Sequence, residues 1–134
     1  MSESRSIKRP LRADDVAAEV WYAGTDREIH GRALCDVGGR ARVGVALMEL
    51  PPGSNTLPGH WHSHEEEHVY AISGSATLHL GAERHVLQAG SYVCFPAGQA
   101  VAHHLQNTGT APFVYLIVGE RIAEEKVTYP ETAL

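Results

Sequence analysis

The sequence has little cysteine, since Cys35 and Cys94 are its only two thiols among 134 residues. Two thiols cannot form the disulfide framework on which many small secreted domains depend. Cys94 lies in the apolar run 92–95 and is typical of a small buried hydrophobic residue. A chain of this length buries roughly two thirds of its unfolded surface, so it can form a core without cross-links. We therefore expect a single domain over residues 1–134.

Long apolar runs and clustered positive charge are also missing. No apolar stretch approaches the ~20 residues of a membrane-spanning helix, and the first ten residues lack the apolar region of a secretory signal. The formal net charge is −5. Arginines and lysines are scattered, except for a short group at the N-terminus that we interpret as a solvated lead-in: Arg5, Lys8, Arg9 and Arg12. We expect a soluble, cytoplasmic protein with no membrane or nucleic-acid partner.

Short β-type runs separated by turn residues make up most of the chain. Strands are predicted at 43–50, 67–72, 76–80, 84–87, 91–95, 103–106 and 113–118. Strands of this length with turn signals at this spacing are typical of an all-β sandwich or barrel. Residues 12–20 can form one short helical turn capped by Asp14. The polar, Gly-rich segment 24–42 has no clear assignment, and residues 120–134 are predicted to be an extended arm.

Histidine is abundant in one place, because the nine residues 60–68 contain four histidines and three glutamates. Side chains on a strand point to the same face every second residue, so His60 and His62 can share an inward face. Glu67 begins a strand whose inward positions are apolar. Two or three strands later, His103 is the first residue of another predicted strand, which is close enough in a small barrel to meet the first group.

Neutral imidazole and carboxylate are the side chains that bind borderline divalent metals. The pattern therefore predicts one divalent ion, Fe, Mn, Ni or Zn, held by His60, His62, Glu67 and His103 with coordination positions left open. The alternative interpretation is a set of solvated surface histidines. Alternation, a carboxylate and a second distant group together favour the metal site.

Three neighbouring side chains are candidates for a general base: His104, His64 and Tyr70. His64 is either a loop residue at the mouth of a pocket or a substitute ligand. His104 points opposite to His103 and is expected to be exposed or to lie behind the ligands. Tyr70 lies in an apolar run, where a core or interface position is the more common role.

The two histidine groups resemble the two motifs of the cupin superfamily. The first motif is Gly, five residues, His-x-His, three or four residues, Glu, six residues, Gly. Gly53, His60-Trp61-His62, Glu67 and Gly74 match it, with Gly53 one residue too far upstream.

The second motif is Gly, five residues, Pro-x-Gly, two residues, His, three residues, Asn. Gly90, Pro96-Ala97-Gly98, His103 and Asn107 match it with two extra residues before the histidine. The insertion leaves His103 and His104 as alternative ligands, and the spacing to Asn107 favours His103.

The motifs span residues 53–107, with residues 1–20 and 120–134 as arms. The chain is similar to small bacterial single-domain cupins, a group whose functions are mostly unassigned. The resemblance implies a jelly-roll β-barrel of six to eight strands with the metal inside. It also implies a homodimer formed by exchanging or pairing N-terminal strands.

From the metal-type cluster we expect an enzyme acting on a small polar, oxygen-rich molecule: a sugar derivative, a hydroxy or keto acid, or a diol. Isomerase, lyase and dioxygenase chemistry all stay open, and a binding module without turnover is the alternative. A closed structural zinc site is the third possibility.

Overall fold

The structure is a computed structural model that describes residues 9–35 and 41–130. Within these residues the chain forms one 3-10 turn, Ala13–Asp15, and eleven strands. The strands are β1 Glu19–Trp21, β2 Ile29–Ala33, β3 Val43–Leu50, β4 Trp61–His62, β5 Glu67–Ser73, β6 Ser75–Leu80, β7 Glu83–Gln88, β8 Tyr92–Phe95, β9 His103–Gln106, β10 Phe113–Glu120 and β11 Val127–Thr128. The predicted all-β class is confirmed. The strands outnumber the six to eight implied above because β1, β4 and β11 are pieces of two or three residues.

The strands pair in antiparallel fashion in three sheets. The first sheet has six strands in the order β1-β2-β3-β10-β5-β8, and the second has three in the order β7-β6-β9. A short sheet of β4 and β11 completes the set. Strand β10 lies between β3 and β5, which are close in sequence, so the chain crosses from one sheet to the other before it returns.

One hydrophobic core joins the two larger sheets. On β5, Val69 and Ala71 are buried while Tyr70 and Ile72 are exposed, as expected for side chains that alternate between two faces. The buried hydrophobic residues come from both sheets: Leu50, Val69, Ala71, Ala76, Leu78, Leu87, Phe95, Leu105, Phe113 and Tyr115. The inward faces of β5 and β9 therefore carry core residues directly beside Glu67 and His103.

Asn107 fixes the segment between β9 and β10 against the core. Its side chain is fully buried, and its Nδ2 donates to the carbonyl oxygens of Leu50 and Ala111, each at 2.9 Å. Its Oδ1 accepts the backbone N–H of Gly109 at 2.9 Å. A buried amide with all these partners is stable where an unpaired one would be costly. The asparagine that ends the second sequence motif therefore has a structural role.

Two details of the sequence-based prediction change. The 3-10 turn is capped at Arg12, whose backbone N–H donates to the carboxylate of Asp15 at 2.9 Å, so Asp14 as the cap was wrong. Asp14 is inside the turn because the turn begins at Ala13, two residues earlier than a turn capped by Asp14 would begin. The unassigned segment contains β2, which pairs with β3. Arg5 and Lys8 lie outside the described residues.

Across the described ranges, no helix is long and apolar enough to cross a membrane.

Candidate metal centre

Backbone pairing brings the two histidine groups together. His60 and His103 form an isolated antiparallel bridge, in which each backbone N–H donates to the other residue's carbonyl, at 3.2 and 3.0 Å. His62 follows two residues later on β4, and its side chain therefore returns to the same face. Glu67 is the first residue of β5. The pairing thus places the side chains of His60, His62, Glu67 and His103 around one point.

The four side chains offer ligand atoms that all lie within 4.8 Å of one another. Nε2 of His103 is 3.4 Å from Oε1 of Glu67, and Nε2 of His62 is 3.7 Å from Oε2. The side chains of His62, Glu67 and His103 are 12%, 19% and 8% exposed, so the group lies below the surface. Three imidazoles and a carboxylate at this spacing fit one divalent ion with open coordination positions.

Two of these atoms are unusual for buried polar groups. Nε2 of His62 and Nε2 of His103 are buried and have no hydrogen-bond partner among the described residues. A buried nitrogen without a partner costs free energy, and nearly all such atoms in folded proteins are satisfied. Both atoms face the carboxylate of Glu67. An ion bound there would satisfy both nitrogens at once.

Hydrogen bonds to the other ring nitrogens fix the tautomers. The carboxylate of Glu125 lies 2.6 Å from Nδ1 of His62, and the carbonyl of Pro58 lies 3.1 Å from Nδ1 of His60. Both oxygens can only accept, so each Nδ1 donates, and in the neutral imidazole the lone pair is then on Nε2. The ring of His103 stacks on Phe95 with centroids 3.7 Å apart, which fixes its orientation.

Local electrostatics favour the ligand form of these groups. Burial lowers the pKa of His60, so its imidazole is neutral near pH 7. Burial raises the pKa of Glu67, but the contact with His103 and the positive charge that the neighbouring imidazoles carry when protonated lower it more. The net pKa of Glu67 is below its ordinary value, and the residue is a carboxylate.

The three predicted candidates for a general base lie outside this group of four. His104 is half-buried and stacks on His79 with centroids 4.3 Å apart. Burial, followed by the charge of His79, lowers the pKa of His104 to about 4. His64 is exposed, and its Nδ1 is 2.7 Å from the hydroxyl of Ser63. Tyr70 is 48% exposed on the face of β5 opposite Val69.

Glu125 is the residue that the sequence did not reveal. It lies some sixty positions after His62, in a run of two glutamates and a lysine that resembles any solvated stretch. Its carboxylate also accepts the backbone N–H groups of His64 and Glu65, at 2.8 and 2.9 Å. Burial raises the pKa of Glu125, but these hydrogen bonds lower it more. The C-terminal arm therefore supplies an ionised partner to a ligand.

Within residues 9–35 and 41–130, two other groups of side chains have metal-type spacing. One is Glu66, His68 and Cys94, and the other is His62, Glu65 and Glu125. In the first, the His68 ring already contacts Glu66 and the Tyr92 hydroxyl, each at 2.7 Å. In the second, Glu125 is occupied by hydrogen bonds. The group of four differs because its buried nitrogens are unpaired.

A pocket of about 290 Å³ lies against the group of four. His62 and His103 form part of its wall. The remaining lining residues are Trp61, Leu80, Glu83, Cys94, Phe95, Pro96, Gln99 and Val101. This volume is at the small end of the range for ligand pockets, about 300–1,000 Å³, and suits a molecule of one ring.

A family model described as the cupin domain matches residues 46–119, which include all four potential ligands. No protein of curated function matches the chain.

Solved structures of similar fold include two associated with sugar phosphates. A sugar phosphate isomerase of the cupin superfamily from Silicibacter pomeroyi has 27% identity and a TM-score of 0.82, with 92% of this chain and 82% of that one covered. A protein proposed to be a sugar phosphate isomerase, from Acidithiobacillus ferrooxidans, has 30% identity and a TM-score of 0.79, with 92% and 81% covered.

A predicted oxalate decarboxylase from Thermotoga maritima has 22% identity and a TM-score of 0.72, with 85% of this chain and 100% of that one covered. At that identity the similarity supports the jelly-roll fold alone.

Proposed function

This chain belongs to the cupin family, and we propose that it is a metal-dependent enzyme acting on a small oxygen-rich molecule. His60, His62, Glu67 and His103 would hold one divalent ion, Fe, Mn, Ni or Zn. The observation that carries the proposal is the pair of buried Nε2 atoms of His62 and His103 that lack hydrogen-bond partners within the described residues. Such an ion supplies a Lewis acid that polarises substrate oxygens.

The chain's own residues have separate tasks in this proposal. Glu125 holds the proton of His62 on Nδ1, and Pro58 does so for His60. The adjoining pocket positions the substrate. Candidate substrates are sugar derivatives, hydroxy or keto acids and diols, with isomerase, lyase or dioxygenase chemistry. The two sugar phosphate isomerase neighbours support enzymatic chemistry at this fold.

His104, His64 and Tyr70 stay as proposals for a general base. His104 is next to a proposed ligand, and His64 lies close to the bound end of Glu125. Replacing each in turn, as His104→Gln, His64→Gln and Tyr70→Phe, tests the role. Replacing the residue that acts as the base should lower kcat about 100-fold or more and leave the metal content unchanged.

Metal analysis tests the site directly. Protein purified without a tag is expected to contain about one equivalent of a transition metal by mass spectrometry. His62→Ala is expected to lose it, whereas His64→Ala, whose ring is exposed beside the site, keeps it. If the wild type is metal-free and binds added Fe, Mn, Ni and Zn no tighter than millimolar, the proposal is wrong.

The alternative is a binding module that senses or stores a ligand or metal. The open pocket beside the ligands is compatible with both functions. Incubating the metal-loaded protein with sugar acids, keto acids and diols separates them. Saturable binding without product formation would favour the module.

We also propose a homodimer formed through the N-terminal strands. Strand β1 is at the edge of the six-stranded sheet, and its Val20 and Trp21 are 47% and 42% exposed. An unprotected apolar edge favours pairing with a second copy. Light scattering of the wild type should give a dimer mass, and Val20→Lys should shift it towards monomer. A monomeric wild type would contradict this.

We propose one domain over the whole chain and a cytoplasmic location, which the two free thiols, Cys35 and Cys94, support.

A further inference from the structure

We propose that the pocket beside the group of four accepts a ligand whose body is uncharged and apolar, such as a ring carrying a vicinal diol. The diol oxygens would face the proposed ion, and the end of the ligand remote from it would carry neither phosphate nor carboxylate. This inference rests on the proposed function and narrows its substrate class.

The wall of the pocket is mostly apolar. Phe95 is buried in the core and stacks on His103, so its ring is a fixed part of the wall. Trp61, Leu80, Pro96 and Val101 supply further apolar surface. Aromatic and aliphatic walls gain free energy from contact with apolar ligand surface and give nothing to a phosphate.

The polar groups of the lining have the wrong charge for an anion. None of its described residues is lysine or arginine. Beyond His62 and His103, its polar side-chain groups are uncharged or negative: the Glu83 carboxylate, the Gln99 amide, the Trp61 indole N–H and the Cys94 thiol. Phosphate carries about −1.5 to −2 charges and is normally bound by Arg, Lys or backbone N–H groups. Burying such a charge without a cation is costly. The carboxylate of Glu83 would also repel such an anion.

The two ligand histidines do not replace the missing cations. The proton of His62 is held by Glu125, and Nε2 of both rings faces Glu67, so the remaining lone pairs serve the ion. Apart from the proposed ion, the lining therefore offers an anionic oxygen no positive charge. The sugar phosphates implied by the names of two neighbours therefore fit this pocket poorly, because their phosphate would lie at the apolar end.

A matched pair of ligands tests the charge selection. 3,4-Dihydroxybenzamide and 3,4-dihydroxybenzoate have the same shape and the same diol, and differ in the charge at the remote end. Calorimetry on zinc-loaded protein, without oxygen, should show the amide binding about tenfold tighter or more than the benzoate, with ribose 5-phosphate weaker still.

Variants at Glu83 test the electrostatic cause. Its side chain is 71% exposed and contacts His85 at 2.9 Å, so replacement should leave the fold intact. Glu83→Lys should strengthen binding of the benzoate about tenfold and change that of the amide less than about twofold. Asp14→Lys makes the same charge change at a side chain that is 82% exposed and outside the pocket lining. It should change the affinity for neither the amide nor the benzoate.

The outcomes separate this inference from the proposed function. Equal or tighter binding of the benzoate by the wild type, or no effect of Glu83→Lys, overturns the inference even if metal binds. If metal does not bind, the proposed function fails, and the pocket is tested by calorimetry with a one-ring pair, neutral benzamide against anionic benzoate. Tighter binding of the neutral probe would then support the charge selection of the pocket without the proposed function. Equal or tighter binding of the anionic probe would contradict it.

Discussion

Single residues set the chemical state of the candidate site. Glu125 accepts four hydrogen bonds, from the ring of His62, from the backbone of His64 and Glu65, and from the hydroxyl of Ser63. It therefore fixes both the tautomer of a ligand and the loop that follows β4. Partners of this kind orient ligands and raise their basicity.

Replacing Glu125 should weaken metal binding without removing a ligand. We expect Glu125→Gln to lower metal affinity about 10–100-fold, because the neutral amide no longer holds the proton on Nδ1 of His62 as firmly. Calorimetric titration with zinc measures the change. Glu124→Gln is the control, since that neighbour is exposed. Equal affinities for the two variants would contradict the role given to Glu125.

At the scale of elements, turns determine how the strands reach the site. Gly74 joins β5 to β6 and has a φ of +77°, a conformation that favours glycine. A Cβ at this position would lie 2.2 Å from the carbonyl oxygen of Pro112, which precedes β10. The turn thus combines backbone strain with a close approach of another strand.

Gly90 provides a matched control for Gly74. Its φ is +93°, and an added Cβ would meet nothing within 4 Å. Gly90→Ala should cost roughly 1–2 kcal/mol from the left-handed backbone alone. Gly74→Ala should cost at least about 2 kcal/mol more, because backbone must move. Urea unfolding measures both, and equal losses would show that the contact with Pro112 relaxes freely.

At the scale of the whole molecule, the four proposed ligands and the core share strands but not side chains. Strand β5 carries Glu67 beside the core residue Val69, and β9 carries His103 beside Leu105. In the part of the chain that the structure describes, the core contains ten buried hydrophobic residues from both large sheets. Such a core does not need an ion to hold its strands together, so the ligands are placed before the ion binds.

Removing the metal should therefore leave the protein folded. With a chelator, the far-UV circular dichroism should keep its β-sheet form, while Tm falls by several degrees because a bound ligand stabilises the native state by about 2.7 kcal/mol at 100 times its Kd. Adding zinc should restore Tm. Complete unfolding in the chelator would favour the closed structural zinc site instead.

Much of the fold could be predicted from local patterns. The strands from β3 to β10 agree with the alternation of apolar residues to within one or two positions, except β4, whose two residues lie in the histidine stretch. The strands β1, β2 and β11 were missed because they are short, with two to five residues each, and lack a run of alternating apolar residues. They are stabilised by partners far along the chain, as β11 is by β4. The position of β10 between β3 and β5 depends in the same way on long-range contacts.

The sequence by itself determined the all-β class, the cupin family and the residue types that can hold a metal, because alternation and motif spacing are local properties. Only the tertiary structure decided which side chains surround them. Cross-strand pairing brings His103 rather than His104 to His60, and the C-terminal arm brings Glu125 to His62. The charge of the pocket could not be predicted from the sequence either, since Trp61, Glu83 and Val101 become neighbours only when three separate segments fold together.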